Sequence, residues 1–180
     1  MKPFAIQLLA LDIDGVLTDG RVLFNAKGEE QKFVSFQDMD AVFEARRRGL
    51  EVALITGENT PWVDFISRRL QILHVIKRAK NKLEAIRKLG DILRIPLSSI
   101  CYVGDSDRDA RALAAVGVGM APANGTAKAK AAARVVLQAA GGAGAIQEVI
   151  RYLHPPRNSL RSLPTRGRLK NLKKRQRLGS

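Results

Sequence analysis

The sequence is short of nearly everything that would suggest a disulfide scaffold, a zinc site or a membrane span. Cys101 is the only cysteine among 180 residues, there are two histidines, and aromatics make up 5%. One cysteine excludes an intramolecular disulfide and a cysteine-based metal site. Inside the apolar run ICYVGD it reads as a small buried hydrophobe rather than a reactive thiol. No hydrophobic run approaches the ~20 residues that a membrane-spanning helix needs. The opening MKPFAIQLLALDID has an apolar stretch too short and too interrupted by charge for a secretory signal, so a soluble, cytoplasmic protein is expected. With 46% hydrophobic residues the chain has the material for one ordinary globular domain.

Acidic residues are also missing from the C-terminal stretch: none follows Glu148, while ten basic residues lie from Arg151 onward. The formal charge of +14 therefore belongs mainly to a tail, and the residues before Arg151 carry about +4. We expect a globular domain over 1–153 and a basic tail over 154–180. The segment HPPRNSLRSLPTRGRLKNLKKRQRLGS shows no sustained hydrophobic period. It reads first as a solvated, largely disordered extension. Contact with nucleic acid or another polyanion, or ordering against a neighbouring subunit, are the other readings.

Before the tail, strand and helix patterns alternate. AIQLLALDI, EVALIT, HVIK, SSICYVGD, GVGMA and ARVVL read as strands, and RVLFN with QKFVSF as a short pair around the turn AKGEE. DAVFEARRRG, NKLEAIRKLGDILRI, DRDARALAAV and AGAIQEVIRYL read as helices, as does NTPWVDFISRRL, with Asn59 as cap and Pro61 in its first turn. Continuous apolar strands alternating with helices predict a parallel sheet covered on both faces.

In such a sheet ligands bind beyond the carboxyl ends of the strands. Asp12 and Asp14 follow the first strand, Thr56 and Gly57 follow EVALI, Gly104 and Asp105 follow ICYV, and Lys82 opens the helix after HVIK. Carboxylates held together repel unless a cation neutralises them. Oxygen ligands with no histidine or cysteine beside them point to Mg²⁺. A magnesium ion beside a lysine, a threonine hydroxyl and backbone amides suits phosphoryl transfer, with one aspartate as nucleophile and the other as acid and base. Taken singly, each feature has a plainer explanation: DxD a helix or loop cap, TG a turn, GDSDRD a helix start, Lys82 a surface charge. Their order along the chain, each at a strand end or the next helix start, argues for a site.

DIDGVLTDG, TG at 56–57, Lys82 and GDSDRD resemble the four motifs of the haloacid dehalogenase (HAD) superfamily of phosphatases. The fuller series DGVLTDG, KGEEQKFVSFQDMDAV, TGEN, NKLEAI, GDSDRDARAL and GGAGAIQEV is similar to the capless branch that contains 3-deoxy-D-manno-octulosonate 8-phosphate (KDO 8-phosphate) phosphatase and relatives acting on nonulosonate 9-phosphates such as KDN 9-phosphate. The resemblance runs from about Phe4 to Tyr152. It implies an α/β, Rossmann-like HAD fold, mainly parallel, capless, with a small β-hairpin insert. It also implies a nucleophile at Asp12 and an acid and base at Asp14. Mg²⁺ would be held by Asp12, the main-chain carbonyl of Asp14, and Asp105. Phosphoryl oxygens would be bound at Thr56, Gly57 and Lys82, with Ser106 and Asp109 supporting Lys82 or the metal ligands. The hairpin, roughly 21–36, would pack between subunits of a homotetramer, although by composition it could equally be an ordinary extension of the sheet. The substrate would be a small phosphorylated sugar acid.

Departures from the branch bear on which sugar acid. TGR is usual in the octulosonate phosphatases, and this chain reads TGE, with Glu58 there. The resemblance associates that glutamate with the KDN 9-phosphate type, where a basic residue on the next helix compensates, and Arg69 is the candidate. Ala143, Gln147, Ser106, Met39 and Asp40 also replace usual residues. None of these changes removes a phosphoryl-handling group.

Overall fold

The computed structural model describes residues 6–154. In chain order its strands are β1 (Leu8–Leu11), β2 (Leu23–Phe24), β3 (Glu30–Gln31), β4 (Glu51–Ile55), β5 (His74–Ile76), β6 (Ile100–Val103), β7 (Val118–Ala121) and β8 (Val135–Val136). The helices are α1 (Phe36–Arg47), α2 (Pro61–Arg69), α3 (Lys82–Leu93), α4 (Ala110–Ala115), α5 (Ala127–Ala132) and α6 (Ala145–Leu153). Six strands form one parallel sheet in the order β5-β4-β1-β6-β7-β8, and β2 pairs with β3 as a separate antiparallel hairpin.

β1 reads LLAL because it lies at the sheet's centre, paired with β4 on one side and β6 on the other, and needs an apolar side chain on each face. Alternation divides it: Leu9 and Leu11 enter the core formed with α1, α2 and α6, whereas Leu8 and Ala10 enter the core formed with α3 and α4. The chain leaves β1 for β4 on one side and later crosses to β6 on the other. The carboxyl ends of β1 and β6 therefore flank the point where the strand order reverses, the usual place for a ligand crevice.

The structure departs from the sequence expectations at several boundaries. α1 starts at Phe36 rather than at Asp40, and the hairpin strands are correspondingly shorter than RVLFN and QKFVSF. The reason is Asp38: its buried carboxylate accepts the amides of Gly144 (2.9 Å), Ile146 (2.8 Å) and Gln147 (3.3 Å), docking the first turn of α1 on the start of α6. The N-cap of α2 is Thr60, not Asn59, because Pro61 occupies the first helical turn directly after it. α5 was not expected at all. Its Thr126 cap accepts the Ala129 amide, but Ala129 is the one residue of the helix that is fully buried, so no apolar stripe announces it. Among the described residues no helix is long and apolar enough to cross a membrane. The readings made for the basic tail lie outside the described residues, His154 excepted.

Candidate active site

The Asp12 amide donates to the Val103 carbonyl (2.9 Å), continuing the β1–β6 ladder one residue beyond the strand. The chain then folds into a tight turn in which the Ile13 carbonyl accepts the amides of Leu17 (2.9 Å) and Thr18 (3.0 Å). Gly15 sits in that turn at φ +80°, and a Cβ there would lie 2.1 Å from Asp105 Oδ2. Glycine is required on both counts: a left-handed backbone, and no side chain between two carboxylate-bearing loops.

Asp12 Oδ1 accepts the Ile13 amide (2.7 Å), and Oδ2 pairs with Lys82 Nζ at 2.7 Å. Lys82 is the first residue of α3, after the Asn81 cap, and its ammonium also donates to the carbonyl of Ile55 at the end of β4 (2.6 Å). A lysine with its side chain 4% exposed is thus tied to two strand ends at once. Asp109, fully buried, stands behind it at 3.8 Å. Both Asp109 oxygens are engaged, Oδ1 by the Tyr102 hydroxyl (2.6 Å) and Oδ2 by the Ser106 amide (2.9 Å) and hydroxyl (2.6 Å). Burial and the neighbouring carboxylates push the Tyr102 phenol far up, so it remains a neutral donor.

Carboxylate oxygens of Asp12, Asp105 and Asp109 lie within 4.8 Å of one another. Burial pushes Asp12 up to about 7 against the pull of Lys82, and pushes Asp105 up to about 6, with Asp109 adding repulsion in both cases. Lys82 alone does not restore these groups to the ordinary carboxylate range. The donor set is all oxygen and short of positive charge, which fits a hard divalent cation between Asp12 and Asp105. Because the oxygens of Asp109 are already occupied, it is better suited to supporting than to binding the ion.

Thr56 is buried at the end of β4, and its Oγ1 accepts the Glu58 amide (3.1 Å), which leaves the hydroxyl proton for an anion. A Cβ on Gly57 would meet nothing within 4 Å, so space lies open beside the Thr56–Gly57 turn. Glu58 is exposed at this rim. Arg69 is the last residue of the nine-residue α2, a helix about 13 Å long.

Asp14 has a different partner. Its Oδ1 pairs with Lys32 Nζ at 2.8 Å, just beyond β3. The Lys32 side chain is 4% exposed, lies 3.7 Å from Glu30 Oε2, and holds its ammonium 5.1 Å from the centre of the Trp62 ring. Thr60 Oγ1 donates to Glu30 Oε2 (2.9 Å), completing a link from the hairpin to the start of α2. Beside it a cleft of about 580 Å³ opens between Phe24, Glu30, Thr60, Pro61, Trp62 and Phe65. The sequence reasoning missed Lys32, and also Asn124, whose Nδ2 donates to the Gly15 carbonyl (3.0 Å) while its Oδ1 accepts the Gly141 amide (2.7 Å). The turn AKGEE marks the hairpin in the sequence, but not the partner of this side chain.

A model of the haloacid dehalogenase-like hydrolases matches residues 58–150. The chain is 36% identical over 144 residues to the 3-deoxy-D-manno-octulosonate 8-phosphate phosphatase KdsC of Salmonella typhi, covering 80% of this chain and 77% of that protein. A crystal structure of the phosphatase of the same name from Moraxella catarrhalis, in complex with a magnesium ion, a phosphate ion and KDO, superposes with a TM-score of 0.81 at 34% identity, covering 84% of this chain and 87% of that one. The cobalt-bound deoxy-D-mannose-octulosonate 8-phosphate phosphatase of Haemophilus influenzae does so with a TM-score of 0.80 at 28% identity, covering 85% and 90%.

Proposed function

The chain belongs to the haloacid dehalogenase-like hydrolases, and from that premise we propose that it is a Mg²⁺-dependent phosphatase that hydrolyses a phosphorylated sugar acid through an aspartyl-phosphate. The observation that carries this reading is the pairing of Asp12 with Lys82 at 2.7 Å inside a cluster of three carboxylates at the strand switch point.

In this reading Asp12 attacks phosphorus, the bond from phosphorus to the sugar oxygen breaks, and Asp14 delivers a proton to the departing oxygen. Water then attacks the aspartyl-phosphate, Asp14 takes its proton, and inorganic phosphate leaves with Asp12 restored. Lys82 and the Thr56 hydroxyl bind phosphoryl oxygens, where preorganised donors do most for the transition state. Asp12, the Asp14 carbonyl and Asp105 would hold a magnesium ion, which would supply charge neutralisation for the same oxygens.

The named relatives favour KDO 8-phosphate as substrate, while Glu58 in TGE favours a nonulosonate 9-phosphate such as KDN 9-phosphate. The hairpin and its surroundings expose Leu23 and Phe24, each more than half open to solvent, along with Phe33 and Phe36, and this supports a contact between subunits of a homotetramer.

Phosphate release from KDO 8-phosphate and KDN 9-phosphate, measured side by side with Mg²⁺ and with Asp12→Asn as blank, tests the reading. We expect Asp12-dependent turnover of at least one, and Glu58→Arg to move the preference toward KDO 8-phosphate. Release that survives Asp12→Asn would overturn the mechanism, and unchanged preference in Glu58→Arg would remove Glu58 from substrate selection.

A further inference from the structure

Each aspartate of the DxD pair has its own lysine, and the two lysines come from different parts of the chain. Lys82 of α3 serves Asp12, while Lys32 of the hairpin serves Asp14. The Lys32 ammonium lies among the Asp14 and Glu30 carboxylates and the Trp62 ring, with its side chain 4% exposed. Asp14 is different, with its side chain 36% exposed. The hydrogen bonds and ion pairs found among the described residues engage only its Oδ1 and leave Oδ2 available.

We infer that Lys32 is a positioning residue for Asp14: it fixes one carboxyl oxygen so that the other faces the leaving oxygen of the phosphate ester. This rests on the proposed function, in which Asp14 is the acid. The hairpin that stands in place of a cap thereby sets the direction of proton delivery. Glu30 and Thr60 hold the hairpin to α2, and Trp62 supports the ammonium from below. A cation over an aromatic face gains from the ring's negative centre, and such contacts strengthen when water is excluded.

The consequence is selective, because an acid matters only when the leaving group needs a proton. The experiment measures kcat/KM, which reports steps through departure of the leaving group, on p-nitrophenyl phosphate, phenyl phosphate and the sugar-acid phosphate that the wild type turns over. Lys32→Met keeps the stem over Trp62 and removes the charge. We expect about a 10²-fold loss on phenyl phosphate and the sugar-acid ester, as for a misdirected general acid, with p-nitrophenyl phosphate nearly unchanged. Lys32→Arg should recover most of the loss, and in an Asp14→Asn background Lys32→Met should cost nothing further. Trp62→Leu, which leaves Lys32 in place, should show the same leaving-group pattern at smaller amplitude, and it decides the matter if Lys32→Met fails to fold. Equal losses on all three esters, a change confined to KM for the sugar acid, or an undiminished loss in the Asp14→Asn background would overturn the inference. Failure of the proposed function is distinguishable, since the wild type would then release no Asp12-dependent phosphate from any ester.

Discussion

The buried carboxylates tie the stability of this domain to pH in a way that magnesium should reverse. Asp12 is pushed from 3.8 up to about 7, chiefly by burial. The folded protein therefore holds a proton that the unfolded chain has already lost, and a raised carboxyl contributes stability that is present at low pH and lost as pH rises through its folded value. One such group costs ~1.4 kcal/mol per pH unit within its window. From about pH 5 to about pH 7, ionising Asp12 should remove about 3 kcal/mol. Asp105, raised to about 6, is half-buried, so its share is discounted for screening to under about 1 kcal/mol. At 2–4 °C per kcal/mol for a domain of this size, the melting temperature in EDTA should fall by about 10 °C across that window. Saturating Mg²⁺ neutralises the same carboxylates, so its stabilising effect should be small near pH 5 and largest near pH 8. Thermal unfolding followed by circular dichroism, with EDTA or Mg²⁺ at each pH, reads both effects, and Asp12→Asn should flatten the metal-free curve. A metal-free melting temperature that stays level from pH 5 to 7 in the wild type, or a Mg²⁺ effect equal at pH 5 and pH 8, would refute the reasoning.

Two further predictions concern the scaffold. Gly15→Ala places a methyl 2.1 Å from Asp105 Oδ2 at a left-handed position. It should cost about 1–2 kcal/mol in backbone strain, and displacing Asp105 should lower kcat/KM by about 10²-fold, with weaker Mg²⁺ binding by calorimetry. Retained metal affinity would mean that the loops separate without harm. Asp38→Ala leaves the amides of Gly144, Ile146 and Gln147 without their acceptor. A loss of about 1–3 kcal/mol should follow, together with faster amide exchange at the start of α6, and unchanged exchange there would show that water replaces the carboxylate.

The parts of the site legible in the sequence are those where one local pattern both builds the element and delivers the chemistry. LLAL, EVALI and ICYV are apolar because their strands are covered on both faces, and each run stops where the sheet ends, which is where Asp12, Thr56 and Asp105 stand. Lys82 was legible for a similar reason, being the first residue after a capping Asn81. Contacts made across the chain were not legible. Lys32 reaches Asp14 only because a hairpin folds over the site, and Phe33 and Phe36, exposed in the structure, made the adjoining segment read as strand through to Phe36. Asn124 looks like a turn residue, and nothing local indicates that it bridges Gly15 and Gly141.

The Asn124 bridge also orders events in time. Gly15 and Asn124 are 109 positions apart, as are Asp38 and Gln147, and a Cβ at Gly141 would come 2.0 Å from the Gly15 carbonyl. Asp12 and Asp14 emerge early from the ribosome, but the floor beneath their loop is translated more than a hundred residues later. Contacts so distant along the chain form late, after the intervening loops have been closed. A nascent or truncated chain that carries the nucleophile but ends before the GGAGA segment thus lacks the support that fixes its direction of attack. Such a fragment should be hydrolytically silent, and competence should appear all at once, near the end of synthesis.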